Sequence, residues 1–254
     1  MKKLNNITSK GLFVEDPITD HFSRTFNYVR IAVNEYCNLR CIYCMPEEGV
    51  PFQKKDRLLV KDEIFTIIKL MEEMGVSKVR FTGGEPLIRK DIIDLIQFVD
   101  QKTDIPSIHL TTNGVLLPDY IDRLVDSGLT GINISLDTLN KEKFKKITRR
   151  EGLDTVLKGL HLAINSEIKL IKVNIVAMKD FNDDEILDFV ELTKDNDITV
   201  RFIELMPFDS HQIWKTGKFY KAEKIVNQLK SSSNQLDQVN GSSTEHHIFK
   251  MKNY

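Results

Sequence analysis

Cysteine is scarce in this 254-residue chain: there are three, Cys37, Cys41 and Cys44, all within one short segment. An odd number so bunched excludes a disulfide framework, which spreads an even number of cysteines along a chain. Net charge is also nearly absent. With 36 Lys and Arg against 37 Asp and Glu, the formal charge is -1, so no overall field draws the protein to nucleic acid or anionic lipid. Any anionic ligand must be held by local groups. No stretch reaches the ~18 uninterrupted apolar residues of a membrane span, and the start Met1-Lys2-Lys3-Leu4-Asn5-Asn6 lacks the apolar segment of a secretory signal. These absences lead to the expectation of a cytoplasmic protein with neither a membrane nor a nucleic acid as partner.

What is present is an ordinary globular balance, 41% hydrophobic and 29% charged, in a length that a single α/β barrel routinely uses. From Tyr28 to about Tyr220, short β-rich runs alternate with longer helical patterns. Strands are expected at Tyr28–Val33, Lys78–Thr82, Ser107–Thr112, Gly131–Ser135, Lys169–Ala177 and Thr199–Glu204. Between the first two, Ile64, Ile67, Ile68, Met71 and Met74 recur at helical spacing until Gly75 ends the pattern. Helices are likewise expected over Asp91–Gln101, Asp184–Asp195 and Lys221–Lys230, and the polar run from Ser231 to Tyr254 reads as a linker or a frayed end.

Repeated β-then-α units imply parallel strands with right-handed crossovers, in an open doubly wound sheet or in a whole or partial barrel. Periodicity does not choose between them. The unusual residues fall at the carboxyl ends of the expected strands: Thr82-Gly83-Gly84-Glu85-Pro86, Thr111-Thr112-Asn113-Gly114, Ser135-Leu136-Asp137 and Glu204-Leu205-Met206-Pro207. That rim carries the active site in barrel enzymes and, near one switch point, in open sheets.

The segment Cys37-Asn38-Leu39-Arg40-Cys41-Ile42-Tyr43-Cys44 follows the first strand. Three thiolates so close on a loop suit a soft metal centre: zinc, copper(I) or an iron–sulfur cluster. A structural zinc wants four protein ligands and there is no fourth cysteine, which favours a centre with one open coordination position. A zinc site completed by a distant histidine, a redox pair Cys41/Cys44 and free buried thiols are the competing readings.

The C-x3-C-x-aromatic-C pattern, with Tyr43 as the aromatic, and Gly83-Gly84-Glu85-Pro86 after the second strand resemble the radical S-adenosylmethionine (radical SAM) enzymes. A closer resemblance, to the GTP 3′,8-cyclase family of molybdenum cofactor biosynthesis, is carried by a longer series of segments. They are Asp20-His21-Phe22-Ser23-Arg24, Arg30-Ile31, Cys44-Met45-Pro46-Glu47, Arg80-Phe81-Thr82 with the glycine motif, Leu110-Thr111-Thr112-Asn113-Gly114, Asn133-Ile134-Ser135-Leu136-Asp137, Lys172-Val173-Asn174 and Arg201-Phe202-Ile203-Glu204-Leu205-Met206. It covers residues from about 17 to 220.

The resemblance implies an α/β fold, a partial (β/α)6 TIM-like barrel of the radical SAM type. It implies a four-iron, four-sulfur (4Fe-4S) cluster on Cys37, Cys41 and Cys44, whose free iron chelates SAM and whose electron cleaves it to a 5′-deoxyadenosyl radical. Tyr43, Gly84, Ser135 and Met206 are then similar in position to SAM contacts, and Arg30, Arg80, Thr111 and Lys172 to contacts with GTP. By the same token the chain is a lyase making 3′,8-cyclo-7,8-dihydro-GTP, served by an electron donor and compatible with a homodimer.

Taken alone, these residues read more plainly: Arg30 and Arg80 as surface cations, Lys172 as a solvated strand residue, Tyr43 and Met206 as core. Arg149-Arg150 reads as a helix-end charge pair, and His246-His247 as tail. No side chain is singled out as catalytic. The family also carries a second cluster on three carboxyl-terminal cysteines, arginines between them and a Gly-Gly tail, and none of these is in this sequence. The expected division is therefore a core barrel over 1–220 and an incomplete extension over 221–254, in a shortened cyclase. A short paralogue acting on another small molecule or peptide, or an inactive binding module, is the alternative.

Overall fold

The structure is a computed structural model that describes residues 18–49, 58–206, 218–232, 236–239 and 248–251. Pro207 and His246-His247 lie outside these residues. Six strands form one parallel sheet in the order β1-β2-β3-β4-β5-β6: β1 (Tyr28–Ala32), β2 (Lys78–Thr82), β3 (Ser107–Thr112), β4 (Gly131–Ser135), β5 (Leu170–Ala177) and β6 (Ile198–Glu204). Strictly sequential order settles the architecture. When every right-handed crossover advances in one direction, all helices fall on the same face and the sheet curls away from them, whereas a doubly wound sheet reverses and is covered on both faces. Here β1 and β6 do not pair, so the barrel is partial.

The outer face carries the core. Val79, Phe81, Ile108, Leu110, Ile132, Ile134 and Val173 are fully or almost fully buried. Against them pack α1 (Lys61–Glu73), α2 (Ile92–Lys102) and α3 (Leu117–Asp126), then α4 (Lys141–Thr148), α5 (Leu153–Ile164) and α6 (Ile186–Glu191). Each such side chain contributes about 1.5–3 kcal/mol of burial, so the outer face holds the sheet without help from the inner one. The two faces alternate residue by residue, as a strand requires. Since Val79 and Phe81 face the helices, Lys78, Arg80 and Thr82 face the concave side.

Two expected elements differ. The helix over Asp184–Asp195 is only Ile186–Glu191, because Thr193 and Lys194 N–H bond to Val190 and Glu191 oxygens three residues back, tightening the last turn, and acidic Asp195 and Asp197 follow. The run beyond Ser231 was expected to be a linker or frayed end. Instead β7 (Leu236–Val239) pairs antiparallel with β8 (Ile248–Met251), following α7 (Ala222–Ser232). Four-residue strands are too short for their alternation to stand out from the surrounding polar residues. Among the described residues no helix is long and apolar enough to cross a membrane.

Candidate active site

Parallel strands bring their carboxyl ends to one rim, where the loops after β1 and β2 are tied to each other mainly by backbone and the loop after β3 joins them through the Glu85 side chain. Gly84 N–H donates to the Asn34 carbonyl (2.9 Å), Glu85 N–H to the Tyr36 carbonyl (2.6 Å), and Asn34 Nδ2 returns a bond to the Glu85 carbonyl (3.0 Å). Gly83 has φ +137°, and a Cβ at either glycine would collide with main-chain oxygens of Asn34 or Tyr36. The glycines are thus needed for the close approach of the cysteine loop itself. The Glu85 carboxylate is fully buried and accepts from Leu87 N–H (3.0 Å), Thr112 Oγ1 (2.8 Å) and Asn113 N–H (2.7 Å). Burial pushes its pKa up, against these three donors.

The cysteine loop is clasped from its other side by α4. Arg40 and Ile42 N–H donate to the Thr148 and Ile147 carbonyls (both 2.9 Å). Arg149, left-handed at φ 55°, reaches back so that its guanidinium donates to the Arg40 and Met45 carbonyls at 2.9 and 3.0 Å. From sequence Arg149-Arg150 reads as a helix-end charge pair; the structure puts Arg149 in this clasp instead.

Cys37 and Cys41 are half-buried, Cys44 is exposed, and all three thiols are free. Burial is the first cause raising the pKa of each, and their mutual repulsion adds to it for Cys41 and Cys44. Cys37 Sγ accepts from Leu39 N–H (3.4 Å) and Asn113 Nδ2 (3.7 Å). Among the described residues no three His, Cys, Asp or Glu side chains converge closely enough for a single metal ion. A four-iron cube takes three protein thiolates on different irons and leaves the fourth iron open, and three free thiols on one rim loop fit it. Donors already aimed at the Cys37 sulfur fit a thiolate there.

Tyr43, beside Cys44, sends its hydroxyl to Asp137 Oδ2 (2.7 Å) at the end of β4. Asp137 also accepts from Val176 N–H (2.7 Å), and burial lifts its pKa to about 6. Ser135 is half-buried at the last position of β4, and Met206, 57% exposed, follows β6 on the same rim.

The concave wall below this rim is polar. The pairings Arg30↔Arg80↔His109↔Gly131 and Thr111↔Asn133↔Lys172 form two rows across the sheet, and Asn174↔Arg201 continues the wall onto β6. The four residues expected to contact GTP, Arg30, Arg80, Thr111 and Lys172, therefore share one face. Lys78 and Arg201 share it too and were not singled out from sequence. None of the five cations forms an ion pair with a described carboxylate. Arg30, Lys78 and Arg80 gather around the Tyr28 ring at 5.5, 5.4 and 5.2 Å. Burial, then repulsion from the neighbouring cations, lowers the Lys78 and Lys172 pKa values. His109, wholly buried among them, falls to about 4 and is neutral at pH 7. Tyr28 Oη, Arg80 Nε, His109 Nδ1, Asn133 Oδ1 and Asn174 Oδ1 are buried without a partner. A wall of unneutralised cations and unspent polar atoms has the chemistry of a polyanion site.

Residues 31–193 match the family model of the radical SAM superfamily. The chain is 46% identical to a GTP 3′,8-cyclase of Chlorobaculum tepidum over 92% of this chain and 70% of the relative. It is 48% identical to molybdenum cofactor biosynthesis protein 1 of Dictyostelium discoideum over 82% of this chain and 33% of the relative. It thus spans between one third and about two thirds of the curated proteins it resembles. Among solved structures, Streptococcus suis SuiB bound to its precursor peptide SuiA superposes with a TM-score of 0.64 at 20% identity, over 81% of this chain and 45% of that one, a likeness of fold alone. On this sequence match, the cysteine loop at the rim and the sequential half-barrel behind it, the chain belongs to the radical SAM superfamily and, within it, to the GTP 3′,8-cyclase family.

Proposed function

We propose that this chain binds a 4Fe-4S cluster and SAM at the rim and converts GTP to 3′,8-cyclo-7,8-dihydro-GTP in molybdenum cofactor biosynthesis. The observation that carries the substrate is the concave wall, where five cations lack carboxylate partners among the described residues, below a rim built around three free thiols. Cys37, Cys41 and Cys44 hold the cluster, which supplies the electron for reductive cleavage of SAM. Tyr43, Gly84, Ser135 and Met206 line the SAM site: Ser135 offers a hydroxyl, Met206 an adaptable apolar surface, and Tyr43 fixes the loop through Asp137. Arg30, Arg80, Thr111 and Lys172 hold GTP, joined by Lys78 and Arg201. The cations take the triphosphate, and its charge replaces the repulsion they otherwise exert on one another. Held in this way, the ribose is positioned for bond formation from C3′ to guanine C8.

The partners in this reading are GTP and an electron donor, without a membrane or a nucleic acid, and the reading is compatible with a homodimer. Three clustered cysteines without a disulfide partner support a reducing, cytoplasmic setting. The test is anaerobic: load iron and sulfide, reduce, and add SAM and GTP. Formation of 5′-deoxyadenosine together with the cyclised nucleotide is the expected result. SAM cleavage without a cyclised nucleotide overturns GTP as substrate, and no cleavage from a loaded cluster overturns the enzyme reading.

A further inference from the structure

Asn113, in the turn after β3, is the side chain of another loop that reaches the sulfur of Cys37, 76 residues away in sequence. Its amide orientation is fixed by the backbone. Oδ1 accepts from Val115 N–H (3.1 Å), so the NH2 group must face the other way. There it meets two acceptors, Asn38 Oδ1 (2.7 Å) and Cys37 Sγ (3.7 Å), one for each amide hydrogen.

The turn that carries it is equally constrained. Asn113 N–H donates to Glu85 Oε2, while Glu85 Oε1 holds Thr112 Oγ1 and Leu87 N–H. Thr112 Oγ1 in turn accepts from Gly114 N–H (3.0 Å). The same Glu85 is tied by its main chain to Tyr36, the residue before Cys37. One residue therefore fixes both in a single frame, Glu85 holding the donor's turn through its carboxylate and the segment before the sulfur acceptor through its main chain.

We propose that Asn113 is a positioning residue for the cluster: held by Glu85, it donates an N–H···S bond to Cys37 and raises the reduction potential of the centre that this sulfur ligates. The physical ground is that a donor on a ligating thiolate disperses negative charge, which favours the form carrying one electron more. The inference rests on the cluster reading above.

The experiment is an EPR-monitored redox titration of the anaerobically reconstituted full chain beside Asn113→Ala, Asn113→Asp and Asn38→Ala. Asn113→Asp keeps an oxygen for Val115 N–H but has no donor for the sulfur. Iron and sulfide contents equal to the parent, with midpoints shifted to more negative potential in both Asn113 variants and unmoved in Asn38→Ala, are the expected results. Midpoints that coincide across all four proteins overturn the assignment and leave the cluster reading intact. Asn113 variants that fail to load iron while the parent loads it also overturn it, because the residue is then structural. A parent chain that assembles no cluster removes the cluster reading and this inference with it.

Discussion

The hydroxyl of Tyr43 donates to Asp137 Oδ2 at 2.7 Å, joining the cysteine loop to the end of β4 across 94 residues of sequence. Asp137 is otherwise held by Val176 N–H on Oδ1, and its own carbonyl accepts from Asn182 Nδ2 (2.7 Å). Among the described residues the Tyr43 bond is the hydrogen bond that Asp137 receives from the cysteine loop. Tyr43→Phe leaves a buried carboxylate oxygen short of its donor, which costs about 1–3 kcal/mol. Chemical denaturation of the metal-free protein is expected to show that loss, and SAM to bind the loaded variant more weakly than the parent.

Two buried groups give stability opposite dependences on pH. His109 titrates near 6.5 when unfolded and near 4 when folded, so its contribution is complete above 6.5 and is lost as pH falls through about 4. Asp137 goes from 3.8 to about 6, so its contribution is complete below 3.8 and is lost as pH rises through about 6. At about 1.4 kcal/mol per pKa unit each contribution comes to roughly 3 kcal/mol. The stability of the metal-free parent minus that of His109→Gln is expected to rise by that order between pH 4 and 6.5. The same difference taken against Asp137→Asn is expected to fall over nearly the same range. Equilibrium denaturation across the pH series reads both.

Burial, then repulsion from Arg201 and Arg80, lowers the Lys172 pKa, so the fold tolerates like charges there. On the proposed function, Lys172→Met removes a charged contact to the triphosphate that is worth about 1.5–3 kcal/mol. GTP affinity, measured by calorimetry on the loaded protein, is expected to drop roughly 10- to 100-fold and to lose part of its salt dependence. The unliganded variant is expected to melt at or above the parent's temperature, since site residues often carry strain that substitution relieves.

Gly84→Ala sets a methyl group against the Tyr36 carbonyl. The buried sheet-helix core lies elsewhere, so far-UV circular dichroism and the main unfolding transition are expected to stay near the parent's. Iron uptake on reconstitution is expected to fall sharply, because the loop that presents Cys37, Cys41 and Cys44 must move.

Much of this architecture was legible in the sequence. Lys78–Thr82, Ser107–Thr112 and Gly131–Ser135 are strands at the expected residues, because alternating β-branched and polar residues between Gly-containing turns leave few other options. What alternation hides is where the polar face points. In Lys78-Val79-Arg80-Phe81-Thr82 the cations read as solvent-facing, and only curling of the sheet turns that face into a concave wall. Lys78, Arg201 and His109 were missed for this reason. Asn113 lay within a noted segment but gained a role only when folding brought Glu85 and Cys37 to it. The shortened α6 and the β7-β8 pair depend on local turn bonds and on pairing between segments, which no single window of sequence reveals.

The central claim is that the concave wall presents the ribose of GTP to chemistry begun at the cysteine loop. GTP deuterated at C3′, incubated anaerobically with the loaded, reduced chain and SAM, tests it through the mass of the 5′-deoxyadenosine formed. Deuterium carried into 5′-deoxyadenosine alongside a cyclised nucleotide is the predicted result. Unlabelled 5′-deoxyadenosine with GTP recovered intact contradicts the account.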